Sequence, residues 1–436
     1  MPASYKGRIA FFYHWGNLGA FSSLRDTLIL LVEHGYLVDF FTQYDVSFPS
    51  FEMDIKGLSI INRPEAFFFV ESSLPPLIHR FRKGGRPYRW LMMKLLYPLL
   101  REFTCNFFLR KQHASIPYHC MVGIDPEGLA SASFYAKLLD VPSIYWSLEL
   151  LLAKEIITQE KKNIKKLEII NNKQVAFTII QDRWRGQALI KENGIDPTSL
   201  FYVPNAPRGR SRREKSDYLY KRLNIPREFK IILCAGTIGS WAMSTEIVAA
   251  AADWPNGYVL VMQSRAYNSI RKDKYIEKIR EIADPRKVII SYEPVPQSEY
   301  RNFVDSADVG LAFYMPNPPN NYFNLLGENI RLIGLSSGKI AGYLYSGLPV
   351  IVNDVVIGPK ELVQSSGSGF CVTHPAGIKD ALSVVFDRYD WYVENACRCF
   401  DESLELEKHL TPILKKLELF TNSEYHYQEY ISGGNY

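Results

Sequence analysis

Apolar residues along this chain come in short unbroken runs that alternate with stretches of helical spacing. Arg8 to Trp15 (RIAFFYHW) is the kind of run a strand buried on both faces requires, and Gly16-Asn17-Leu18-Gly19 ends it. Phe21 to Glu33 then places apolar residues three and four apart, Gly35 closes that stretch, and Tyr36 to Thr42 starts the next run. The pattern predicts a β-α-β unit with a glycine-containing turn after its first strand, the opening of a doubly wound sheet. That turn lacks G-x-G-x-x-G, so a dinucleotide fingerprint is not supported. Further strands are predicted at Leu58 to Ile61, His119 to Ile124, Ser143 to Trp146, Phe177 to Gln181 and Leu200 to Val203, the last ending at Pro204-Asn205. A polar stretch with Arg208, Arg210, Arg212, Arg213 and Lys215 follows and reads as a solvated linker. The strand-and-helix alternation resumes at Lys230 to Ala235 (KIILCA), turns through Gly236-Thr237-Ile238-Gly239-Ser240 and continues as a helix from Met243 to Ala252. Strands are predicted after it at Tyr258 to Met262, Lys287 to Ser291, Val309 to Phe313, Pro349 to Val352 and Gly369 to Val372. Two such units facing each other make a cleft at their strand carboxyl ends, where ligands bind.

Ser336-Ser337-Gly338-Lys339 opens a short helix that passes Tyr343 and stops at Gly347, and Pro349-Val350-Ile351-Val352 forms the strand beyond it. Free N–H groups and the dipole at such a helix start favour an anion, and Lys339 adds a full charge within the first turn. An ordinary turn with a solvated lysine has the same spacing.

These same residues resemble the S-x-x-K-x-x-E-Y-x-x-x-G-x-P-V-I segment of GT-B glycosyltransferases in the glycogen-synthase-like, nucleotide-sugar-dependent group (family 4-like). Ser336, Lys339, Tyr343, Gly347, Pro349, Val350 and Ile351 stand where that pattern asks, while the glutamate before the tyrosine is Gly342. The family's E-x7-E pair meets the donor sugar and the ribose; here its two positions are Gly334 and Gly342. The resemblance is firm from about residue 177 to 417 and implies two Rossmann-like doubly wound domains. They are expected over 1–205 on the acceptor side and 230–400 on the nucleotide-sugar side, joined by a linker over 206–229. A helix over 401–420, within Cys399 to Leu417, is expected to cross back to the first domain, leaving a loose tail over 421–436.

The whole composition narrows the classes. A chain of 436 residues, 47% hydrophobic and 22% charged, is globular and long enough for two or three cores. A net charge of +5 is too small to argue for nucleic acid. No segment approaches the roughly 20 apolar residues of a spanning helix, and Met1-Pro-Ala-Ser-Tyr-Lys runs into a strand without a signal-peptide core. The six cysteines are scattered with no C-x-x-C pair, which suits a reducing cytosol.

Sugar transfer needs a stabilised diphosphate leaving group and a positioned acceptor hydroxyl. For the first task the candidates are Lys339 and Arg265, which the resemblance assigns to the diphosphate, with the Gly236, Thr237, Gly239 and Ser240 turn, the Ser336, Ser337 and Gly338 helix start, and Glu361, where relatives often carry a glutamate. For the second they are Gly16, Asn17 and Gly19, together with Glu149 and Asp125. Asp125 follows a strand and precedes Pro126, so it either orients an acceptor hydroxyl or contacts the transferred sugar, or simply caps the helix. There is no D-x-D motif and no His or Cys ligand cluster, and the resemblance implies metal-independent transfer without a cofactor beyond the nucleotide-sugar co-substrate. Residues 79–111 interleave arginine and lysine with Trp90, Met92, Met93 and Tyr97, a pattern suited either to an anionic membrane surface or to a core-facing helix with a basic outer face. The expectation is a cytoplasmic glycosyltransferase, peripheral on the membrane face, acting on a glycan or lipid-linked acceptor with retention. A catalytically silent nucleotide-sugar or glycan binder, and a nucleotide-sugar epimerase, are the alternatives.

Overall fold

The computed structural model describes residues 5–14, 21–42, 54–62, 97–264, 274–317 and 327–422, with backbone alone for 97–104, 274 and 421–422. The first sheet comprises β1 (Gly7–Tyr13), β2 (Tyr36–Thr42), β3 (Leu58–Asn62), β4 (Tyr118–Ile124), β5 (Ser143–Trp146), β6 (Phe177–Ile180) and β7 (Leu200–Tyr202). All of its pairings are parallel, in the order β3-β2-β1-β4-β5-β6-β7. Every residue of β1 is buried, which is what an unbroken GRIAFFY run provides to a sheet covered on both faces. Its helices are α1 (Ser22–Glu33), α2 (Tyr97–Ser115), α3 (Asp125–Leu139), α4 (Gln159–Asn172) and α5 (Arg183–Asn193).

A short α6 (Tyr218–Leu223) leads to the second sheet, β8 (Lys230–Gly236), β9 (Tyr258–Ser264), β10 (Val288–Ser291), β11 (Val309–Ala312), β12 (Val350–Asn353) and β13 (Gly369–Val372). It too is wholly parallel, in the order β10-β9-β8-β11-β12-β13. The helices around it are α7 (Ser244–Ala251), α8 (Lys274–Ile282), α9 (Tyr300–Asp305), α10 (Glu328–Arg331), α11 (Gly338–Tyr345), α12 (Ile357–Ser366), α13 (Ile378–Asp387) and α14 (Tyr389–Ser403). The last helix, α15 (Leu406–Asn422), places Leu406, Leu410, Ile413 and Leu417 in the core of the first sheet with Ile9 and Phe11.

Strand order reverses between β1 and β4 in one sheet and between β8 and β11 in the other. A crevice opens at such a switch point, at the strand carboxyl ends. Asp125 directly follows β4, and Gly236 is the last residue of β8, so the chain puts candidate chemistry at both switch points.

The stretch Cys399 to Leu417, read from sequence as one helix, is two. It breaks at Leu404 and Glu405, whose N–H groups both bond to Phe400 O, and Leu404 is buried against the second sheet's core while Leu406 joins the first. The change of core forces the break, because a continuous helix cannot turn its apolar stripe from one domain to the other.

Candidate functional site

On the second domain's side, Lys339 lies in the first turn of α11 and its ammonium stands 5.4 Å from the centre of the Tyr314 ring. A Cβ on Gly236 would lie 3.8 Å from Lys339 Nζ, so the turn after β8 and the start of α11 meet at this lysine. Tyr314 is buried, its hydroxyl bonds to Ser337 Oγ, and Trp241 stacks on its ring. No side chain caps α11, whose N-cap is Ser337. Thr237 is exposed, Gly236, Gly239 and Ser240 are half-buried, and the Gly239 N–H donates to Ser244 Oγ. A cation beside uncapped helix N–H groups and an open turn is an arrangement that holds a diphosphate. Glu361 stands apart from it, in an exposed ion pair at 2.8 Å with Arg183 of the first domain. Arg265, Gly16, Asn17 and Gly19 lie outside the described residues, as does the 79–96 part of the basic stretch.

On the first domain's side, Asp125 has φ +58°, uncommon for a residue other than glycine. Its Oδ1 accepts from the N–H groups of Leu148 and Glu149, at 2.9 and 2.8 Å, across to the loop after β5. It therefore does not cap α3, which has no side-chain cap: the left-handed backbone aims the carboxylate at the neighbouring strand's loop instead. Burial pushes the Asp125 carboxyl well above its usual range, and the Glu149 charge pushes the same way. Glu149 is exposed at its surface yet closely surrounded by protein. Its carboxyl is also pushed up by burial, against the pull of Arg185. Burial thus pushes both carboxyls in the direction that favours their protonated forms.

Three side chains that the sequence reading did not single out join these halves. Arg185 is 1% exposed, donates to Leu148 O on one side at 3.0 Å and to Leu332 O and Ser336 Oγ on the other at 3.3 and 3.4 Å, and leaves its Nε without a partner. Asp182 caps α5 through the N–H groups of Trp184 and Arg185, and its second oxygen accepts from the Leu335 N–H at 2.7 Å. Asn205 takes hydrogen bonds from Ser22 and Ser23 at the start of α1 and donates to Ser336 O at 3.1 Å. The segment that carries the Ser336–Lys339 turn is thus held by groups of the opposite domain. The Q-D-R-W-R run around Asp182 and Arg185 does carry a signal, an Asp at the N-cap position with arginine at helical spacing inside the fold.

The two positions of the E-x7-E pair differ sharply. Gly334 has φ +52°, and a Cβ there would fall on Asp182 Oδ2, whereas a Cβ on Gly342 would meet nothing within 4 Å. Among the described residues no group of His, Cys, Asp and Glu is arranged to hold a metal ion, and no helix is long and apolar enough to cross a membrane.

No protein-family model matches this chain, and no curated protein matches it in sequence. Solved structures do match its fold. The chain is similar to Anabaena HepE in complex with UDP-glucose, at 12% identity over 95% of this chain and 100% of that one, with a TM-score of 0.62. It is similar to sucrose-phosphate synthase from Thermosynechococcus elongatus, at 13% identity over 96% and 100%, TM-score 0.62. It is also similar to WaaG, a glycosyltransferase involved in lipopolysaccharide biosynthesis, at 12% identity over 95% and 100%, TM-score 0.57. The protein has the two-domain, Rossmann-like GT-B fold of these structures.

Proposed function

We propose that this protein is a glycosyltransferase that moves a sugar, a hexose by the resemblance, from a nucleotide diphosphate donor to a glycan or lipid-linked acceptor, with retention and without a metal, at the cytoplasmic face. The observation that carries the reading is the meeting of the two domains at this site. Lys339 and the turn at Gly236 come together on one wall, Asp125 and Glu149 supply carboxyls on the other, and Arg185 touches both walls. In that reading Lys339, with Arg265, takes the charge that develops on the leaving diphosphate, and Asp125 and Glu149 orient the acceptor hydroxyl. Solved structures of HepE contain UDP-glucose, UDP, and UDP with glucose, which supports a nucleotide sugar as the donor here.

One observation favours a second reading, a silent nucleotide-sugar binder. Neither carboxylate of the family's pair is present: the Gly334 site is closed by Asp182, and the Gly342 site is open. The test is a screen of the purified chain against nucleotide sugars, following nucleotide diphosphate release with and without lipid extract, beside Lys339→Ala. Release that depends on an acceptor and is lost in the variant is the expected result; saturable binding with no release from any donor assigns the silent role. Gly342→Glu, which fits the open space, should then strengthen donor binding.

A further inference from the structure

Helices α2, α3 and α4 form one outer layer of the first domain, and that layer shows much apolar surface. Phe107 on α2 is 67% exposed, Phe134 on α3 57%, Ile157 just ahead of α4 67%, and Ile170 on α4 55%. Of the other described large apolar side chains only Leu419 is as exposed. Scattered exposed apolar residues need no explanation, so their grouping decides the matter. Phe134 and Leu167 line one groove of about 350 Å³ between α3 and α4, floored by Pro126, Ala130 and Ile164 and ending at His14. Ile170, three residues beyond Leu167, continues the same side of α4. The exposed charges of these two helices and their ends are mainly basic, with Lys137, Lys162, Lys166 and Lys173 against Glu160 and Asp140, while Glu127 lines the groove itself.

We propose that this α3–α4 face docks on an anionic lipid bilayer, with the groove taking an acyl chain and the lysines reaching the headgroups. Lysine stems cover apolar surface while their ammonium groups stay at the water boundary, so apolar crests between lysines suit a headgroup layer. A protein partner fits less well, because interface centres are depleted in lysine. None of the residues named for this face belongs to the 79–96 stretch. The face deepens the proposed activity and, in this respect only, rests on it: the groove ends at His14, beside the end of β1, and Glu127 on its wall is two residues from Asp125. A lipid-linked acceptor lying there would present its head to the carboxyl wall of the cleft.

The experiment is co-sedimentation of the full chain with phosphatidylcholine vesicles and with vesicles that are about one-third phosphatidylglycerol. It includes Leu167→Asp, Phe134→Asp and Lys162→Glu/Lys166→Glu, with Val384→Asp on the second domain as the control and thermal melting to verify folding. Binding confined to anionic vesicles, weakened roughly tenfold by each groove or lysine change and untouched by Val384→Asp, is the expected result. Equal binding to neutral vesicles, no binding, or variants that bind like the parent overturns the proposal. So does loss of a dimer in Leu167→Asp by light scattering, which would assign the face to a second copy. Nucleotide release, measured separately, keeps the two claims apart: vesicle binding without any release removes the transferase and leaves the docking face, and transfer to a soluble acceptor without vesicle binding does the reverse.

Discussion

Gly334 and Gly342 look alike in the sequence, but the fold treats them as opposites. Gly334 combines a left-handed φ with the Asp182 carboxylate where a side chain would go, so Gly334→Ala meets both backbone strain and a clash with a buried, hydrogen-bonded group. It should cost about 1–3 kcal/mol, lowering Tm by several degrees. Gly342 sits inside α11 with free space beside it, so Gly342→Ala should gain about 0.5–1 kcal/mol. Melting curves of the two variants side by side would show both signs; a loss at Gly342 would mean its space is occupied. Arg185 supports a second prediction. Its charge opposes the burial that raises the Glu149 carboxyl and also lies by Asp182. Arg185→Met removes a buried cation from two carboxylates, a change worth about 3–5 kcal/mol. The variant should therefore melt early and, where activity needs ionised Glu149, shift the acidic limb of its pH profile upward. Arg185→Lys should recover part of the stability. A profile unmoved in Arg185→Met would detach the guanidinium from Glu149. None of this was legible residue by residue, because the sequence displays neither the φ of Gly334 nor the reach of Asp182 from a separate domain.

Elements were more legible than sites, for a physical reason. Parallel strands covered on both faces need nearly continuous apolar runs, and RIAFFY, YLVDFFT and KIILCA are such runs, interrupted inside only by Asp39, so β1, β2 and β8 fall within a residue or two of where the pattern puts them. Helix ends that depend on partners far along the chain were not legible. Asp125 before Pro126 has the local signature of a cap, but its carboxylate is drawn to the N–H groups of Leu148 and Glu149. Conversely, Asp182 does cap α5 and also serves Leu335. Asp182→Asn keeps one acceptor oxygen, enough for the cap but not for the Leu335 N–H as well, whereas Asp182→Ala loses the cap and the Leu335 contact together. The alanine variant should lose about 1–3 kcal/mol more than the asparagine one. Denaturant titrations that rank the two equally would show the cap to be dispensable.

At the scale of the molecule, the second domain's wall around Lys339 is held in place by carboxylates of the first. Glu155 accepts from the N–H groups of Glu328 and Asn329 at the start of α10, and Asp182 accepts from Leu335. Both carboxyls are pushed up, with burial as the largest cause, and their hydrogen bonds to N–H groups offset it only in part. Opening the cleft would hydrate both and return them toward ordinary carboxyl values. The closed form thus binds protons more tightly than the open one, and protonation favours closure. That contribution is complete below the open-state values and is lost as pH rises through the raised values of the closed form. Lowering pH from neutrality toward the ordinary carboxyl range should therefore shift the unliganded protein toward the closed form, read by small-angle scattering as a smaller radius of gyration. The double variant Glu155→Gln/Asp182→Asn removes both charges, so it should be compact already at neutral pH and respond little to acid. A parent radius that does not change over this interval, or a double variant that responds as the parent does, would place the control of closure elsewhere. The same variant bears on donor affinity, since an interface that closes without ligand uses less of the ligand's binding energy to order the Ser336–Lys339 turn. Nucleotide-sugar binding at neutral pH should accordingly tighten in the double variant and lose most of its dependence on pH.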